Sequence, residues 1–185
     1  MPIDEDLKLI NNLKLKYKII GSHCLLSKRK GIHQTIESLV GLKDFAFVIV
    51  GDGQEMSNLQ SLAKELNVYE RCLFLGYKSN AISYLPFFDL YVMSSYSEGF
   101  PLGLLEAGLM KLPVVCSDIP IFRELFSEDE VCFYQLDNIK SLEKAISICV
   151  NNKNELAMSL NKKIVKKYSI DEMGKNYFQL YEHNL

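Results

Sequence analysis

The segment Ser97 to Gly108 reads SEGFPLGLLEAG and carries two glutamates, Glu98 and Glu106, separated by seven residues that include Gly99, Pro101 and Gly103. Proline suits the first helical position, where the amide hydrogen it lacks would have no partner, so Pro101 predicts a helix start. The unpaired N–H groups of a first turn, at the positive end of the helix dipole, attract a phosphate. Gly99 lets backbone approach such a ligand closely. Helical side chains lean toward the N-terminus, so Glu106, about one turn in, reaches back toward the same place. A carboxylate does not bind phosphate. It is suited to accept hydrogen bonds from neighbouring hydroxyls, as a ribose offers, and Glu98 is placed to hold hydroxyls further along the same ligand. A second feature is SKRKG at 27–31, the densest basic cluster in the chain, whose Lys28, Arg29 and Lys30 suit an anion.

The elements around these features have a definite pattern. Apolar runs alternate with helix-period segments, which predicts a parallel sheet covered by helices on both faces. Strands are expected at 17–25, 45–51, 71–76, 89–94, 113–118 and 131–135. The run at 45–51, FAFVIVG, is apolar throughout, as a strand buried on both sides requires. Crossover helices are expected from Ile32, from Met56 to Leu66, and at 80–86, 101–110 and 121–126. Three more follow near 141–150, 154–167 and 170–183. The last opens with Ser169 and Glu172 spaced as a capping box and carries the stripe Ile170, Met173, Tyr177, Phe178 and Tyr181. The fold class is therefore α/β, a Rossmann-like doubly wound six-stranded sheet in one domain, 1–185, with extra C-terminal helices. If the strand order is 3-2-1-4-5-6, the ligand crevice lies between strands one and four. The loops after those strands are SKRKG and SSYSEGF, so the two features converge. Taken singly, each reads better as solvated surface; their convergence reverses that preference and points to a phosphate-bearing ligand.

Composition sets limits. The 185 residues are 48% hydrophobic and 24% charged with a formal net charge of -2, ordinary for a globular chain and without a global field for nucleic acid. Five widely spaced cysteines without a CxxC pair read as buried thiols of a reducing compartment. The N-terminus shows no signal pattern and no apolar run reaches the ~20 residues of a membrane span. The expected location is the cytoplasm, with peripheral association at the inner face of the membrane left open.

The ordered motifs resemble the C-terminal, donor-binding domain of retaining GT-B glycosyltransferases of family four. They are Lys30-Gly31, FVIVGDG at 47–53, CLFLGY at 72–77, DLYVMSSYSEGF, EGFPLGLLE with its paired Glu98 and Glu106, and SDIPIFREL at 117–125. The resemblance implies a domain that holds a nucleotide-diphosphate sugar for polysaccharide or glycoconjugate biosynthesis and works without a cofactor or bound metal. It implies Lys30 and Glu98 as catalytic residues. Lys30 would contact the diphosphate and assist its departure, and Glu98, with the backbone of Gly99, Phe100, Pro101 and Leu102, would face the transferred sugar. Glu106 would bind the ribose, Gly76, Tyr77 and Lys78 would border the base, and Gly51 and Gly53 would line the neighbouring loop.

Three departures stand out. The arginine the family places before its lysine is absent from Cys24-Leu25-Leu26, so Lys28 or Arg29 is the candidate second diphosphate contact. The glycine that closes the glutamate helix is Lys111. The length corresponds to the second of two domains, with the acceptor domain in cis or on a partner chain, and on this reading the chain is inactive alone. Two other readings remain open here: a nucleotide-sugar epimerase and a non-catalytic partner-binding half. An epimerase needs its own acid and base, and among the histidines only His23, at the end of strand one, is within reach of the crevice; a lone strand-end histidine reads as structural. Gly103 and Gly108 are expected to serve close backbone packing.

Overall fold

The computed structural model describes residues 2–168 and Glu172. Six parallel strands, β1 (Lys18–His23), β2 (Phe45–Val50), β3 (Cys72–Phe74), β4 (Leu90–Met93), β5 (Val114–Ser117) and β6 (Cys132–Tyr134), form one sheet in the order β3-β2-β1-β4-β5-β6. Each lies inside its predicted segment and is one to three residues shorter. The sheet is buried on both faces. Ala46, Val48 and Val50 join one core while Phe45, Phe47 and Ile49 join the other, which is why β2 reads as an unbroken apolar run.

Helices α2 (Ile32–Ser38), α3 (Met56–Glu65) and α6 (Ile139–Asn151) cover one face; α1 (Asp4–Lys14), α4 (Leu102–Leu109), α5 (Pro120–Leu125) and α7 (Lys153–Lys167) cover the other. Helix α1 is absent from the sequence-based expectation. Its inward positions are Asp6, Ile10 and Leu13, and the carboxylate interrupts what would otherwise be a recognisable apolar stripe. The segment expected as a helix at 80–86 is a 3-10 stretch, Ala81–Phe87, in which Pro86 prevents regular α-helical bonding. The capping box and apolar stripe of 170–183 lie outside the described residues, apart from Glu172.

Helix α4 starts one residue later than expected. Pro101 is its N-cap, and the Pro101 carbonyl accepts from the amides of Leu104 and Leu105 at 3.0 and 3.1 Å. Its other end turns through Lys111, at φ 57°, with the amide of Leu112 returning to the Ala107 carbonyl at 3.0 Å. This left-handed position favours glycine. Lys111→Gly is therefore expected to stabilise the chain by about 1 kcal/mol, a rise of about 2–4 °C in melting temperature; thermal unfolding of both forms checks it. Gly108 faces α7, where a Cβ would fall 2.3 Å from Ile164 Cδ1, so α4 and α7 meet over bare backbone.

Candidate functional site

The switch point between β1 and β4 brings together segments far apart in the chain. After β1 a short 3-10 turn, Lys28–Lys30, ends at Gly31 in the left-handed region at φ 59°. A side chain on Gly31 would also place its Cβ 2.2 Å from the Ser94 carbonyl, so glycine is required for this turn to pass against β4. The loop after β4 is stitched to the turn. The Tyr96 amide donates to the Arg29 carbonyl at 2.8 Å, and Ser94 Oγ donates to the Lys30 carbonyl at 3.0 Å.

On this scaffold Lys30 Nζ donates to Glu98 Oε1 at 2.6 Å, and Ser95 Oγ donates to the same oxygen at 2.6 Å. The lysine and glutamate side chains are 15% and 6% exposed, so the pair is largely withdrawn from water and each charge depends on the other. Arg29 braces the loop from the rim. Its guanidinium donates to the Ser97 carbonyl at 3.0 Å and lies 3.6 Å from Glu98 Oε2. Of the two candidates for the missing arginine, Arg29 thus stands beside Glu98. Lys28 makes no such contact among the described residues; together with Arg29 it lines a cleft of about 630 Å³, toward α2 and α3, with Ile32, His33, Leu59 and Tyr96.

Glu106 projects from α4 toward β1, where its Oε2 lies 2.6 Å from His23 Nε2. Gly103 makes this approach possible, since a Cβ there would fall 2.7 Å from the Tyr91 hydroxyl and 3.4 Å from the His23 ring. Gly99 differs: a Cβ at that position would meet nothing within 4 Å, so no internal contact demands glycine there. The adjoining Phe100 and Leu102 are exposed.

A smaller hollow, about 250 Å³, opens beside this centre and is lined by His23, Cys24, Gly51, Asp52, Tyr77 and Lys78. Gly51 passes beneath the Cys24 carbonyl, which a Cβ would approach to 1.9 Å, and Gly53 passes beneath the Leu26 carbonyl in the same way. The Gly51 amide donates to the Gly76 carbonyl at 2.8 Å. Tyr77 is exposed. The Lys78 ammonium is not free for a ligand in this hollow: it pairs with Asp6 Oδ2 at 2.6 Å, and the Tyr84 hydroxyl donates to the same carboxylate. Burial pushes the Cys24 thiol up to about 12, with Lys30 lowering and Glu98 raising it, so it is a neutral lining group and not a nucleophile. Tyr91, Ser95 and Asp6 were not foreseen as supporting residues, and His23, expected within reach of the crevice, was read as structural; for His23 and Ser95 the available signal was position, since they end and follow strands at the switch point.

The family model for glycosyl transferases group 1 matches residues 4–167. This chain belongs to that family. WclY, an O-antigen biosynthesis glycosyltransferase of Escherichia coli, is 31% identical over 166 residues, which cover 89% of this chain and 46% of WclY. A variant of Staphylococcus aureus TarM, crystallised with fondaparinux, alpha-GlcNAc-glycerol and UDP, superposes with a TM-score of 0.80 at 26% identity, covering 90% of this chain and 36% of TarM. The C-terminal domain of the group 1 protein LpcC from Francisella tularensis matches in fold, with a TM-score of 0.74 at 22% identity, covering 91% of this chain and 95% of that domain. The architecture of the group 1 chain is thus the Rossmann-like sheet of GT-B glycosyltransferases, and it spans less than half the length of WclY and TarM. Among the described residues, no helix is long and apolar enough to cross a membrane.

Proposed function

We propose that this chain is the donor-binding domain of a retaining glycosyltransferase, holding a nucleotide-diphosphate sugar for transfer to an acceptor bound by a further domain. The reading is carried by the convergence of Lys30, Glu98 and Glu106 at the β1/β4 switch point, where open α/β sheets bind ligands. An ammonium has three donors, so Lys30 keeps Glu98 and still serves a diphosphate oxygen. As the bond from the anomeric carbon to that oxygen breaks, its electron pair leaves with the diphosphate, the acceptor's hydroxyl oxygen bonds to the same face of that carbon, and the hydroxyl proton passes to the departing diphosphate. Lys30 and the first amides of α4 stabilise the charge that develops, and no metal is assigned to the step.

Glu106 accepts from the ribose, Glu98 and the 99–102 backbone face the sugar, and the hollow beside Tyr77 takes the base. The remaining contribution is orientation of the donor, which lowers the entropic part of the barrier. UDP in the TarM complex supports a nucleotide sugar as donor, and the O-antigen role of WclY supports a saccharide acceptor. The share of each relative that is covered supports an acceptor domain outside these residues.

A thermal-shift screen with UDP, GDP and ADP tests the reading. At about one hundred times its dissociation constant the preferred nucleotide stabilises by ~2.7 kcal/mol, raising the melting temperature by about 5–10 °C. Glu106→Ala is expected to weaken the same nucleotide about tenfold in calorimetric titration. No shift with any of the three on the folded chain refutes donor binding and favours a partner-binding module.

A further inference from the structure

His23 closes β1 at the switch point, and its imidazole is held on several sides. In the β1–β2 ladder its backbone lies opposite Val50. The Tyr91 ring stands 5.4 Å away, tilted by 58°, and the Tyr91 hydroxyl donates to the His23 carbonyl at 3.4 Å. Gly103 passes the edge that meets Glu106, where a Cβ would lie in ordinary contact, 3.4 Å from Cε1 and 3.6 Å from Nε2. The side chain is 11% exposed. Its environment also selects the tautomer. A carboxylate oxygen only accepts, so Nε2, 2.6 Å from Glu106 Oε2, carries the proton. Nδ1 is buried without a hydrogen-bond partner among the described residues, and a proton there would be an unsatisfied buried donor.

Glu106 has the opposite character. Its side chain is 30% exposed and carries several rotatable bonds, which cost entropy when a ligand orders them. A closely packed donor therefore meets an acceptor on a side chain with more conformational freedom. We propose that His23 is a positioning residue for ribose recognition: its Nε2–H fixes the Glu106 carboxylate in the orientation that meets the nucleotide's ribose hydroxyls. The proposal rests on the donor-site reading, in which Glu106 holds the ribose. The two oxygens of a carboxylate offer about four acceptor sites, of which His23 takes one.

The test uses the whole chain and whichever of UDP, GDP and ADP raises its melting temperature most, with the 2′-deoxy form of that nucleotide as the comparison. Calorimetric titration of the unchanged chain is expected to favour the ribonucleotide about tenfold. His23→Leu and Glu106→Gln should each reduce this preference to about twofold, with the deoxy form changing little, since the carboxylate's orientation matters only to the hydroxyls. His23→Gln, which still presents an N–H, should keep most of the preference. If the leucine variant shows no cooperative melt, His23→Asn takes its place, because its shorter side chain does not reach Glu106.

A merely structural role for His23 predicts equal losses for the two nucleotides, and that result, or no loss at all, overturns the proposal while Glu106→Gln still upholds the donor site. An intact preference in Glu106→Gln overturns both. Absence of binding by all three nucleotides does the same.

Discussion

Lys30→Ala is expected to weaken nucleoside diphosphate binding about hundredfold, a loss of ~2.7 kcal/mol. Among the described residues, the Lys30 ammonium is the side-chain cation drawn into the largely buried centre of the switch point, 2.6 Å from Glu98, while Arg29 braces the rim and, with Lys28, lines a different cleft. A diphosphate entering that centre meets one concentrated positive charge in a water-poor setting, where its loss costs most. The same substitution leaves Glu98, 6% exposed, with the Ser95 hydroxyl and a more distant Arg29, so a lower melting temperature accompanies the weaker binding. The affinity is therefore measured by titration at a temperature where circular dichroism shows both forms folded. Lys30→Arg keeps the charge and should recover part of the affinity. Equal affinity in the alanine variant would make Lys30 a structural partner of Glu98 and remove it from the diphosphate site.

Asp6→Ala is expected to cost about 3 kcal/mol of stability, or about 6–12 °C in melting temperature. The Asp6 carboxylate receives the Lys78 ammonium and the Tyr84 hydroxyl, and the Ile3 amide in turn donates to that hydroxyl at 3.2 Å. Burial, reinforced by the bond to Asp6, raises the Tyr84 phenol, so the hydroxyl remains a donor. Removing the carboxylate leaves an ammonium 15% exposed and a buried hydroxyl, both without this acceptor, and it frees α1 from the loop that borders the smaller hollow. Pairing Asp6→Leu with Lys78→Met removes both charges and should restore much of the loss, since an apolar pair of similar size carries no desolvation penalty. Calorimetric unfolding of the single and double variants decides the matter: a single-variant loss below about 1 kcal/mol would show a solvated, weak pair.

Much of the architecture was legible in the sequence because it rests on local patterns. An apolar run such as FAFVIVG, followed by helix-period spacing, identifies a strand and its crossover wherever it lies in the chain. The strand order followed from expecting the common doubly wound topology, and it placed the SKRKG turn beside the SSYSEGF loop before any distance was known. Where local signals competed, the expectation slipped. Pro86 turned an expected helix into a 3-10 stretch, and Pro101 became the N-cap of α4 in place of its first helical residue.

What the sequence determined by itself is the doubly wound fold, the helix start at the paired glutamates and the basic turn facing it, because each depends on backbone preference over a few adjacent residues. Only the tertiary structure decided which side chains meet. His23 reaches Glu106 across 83 positions of sequence and Lys30 reaches Glu98 across 68, contacts between separate elements that no periodicity encodes. The pairing of Asp6 with Lys78 is of the same kind. It hid α1 from the sequence by placing a carboxylate where an apolar residue was expected, and it turned a lysine beside the hollow into a fastening for that helix.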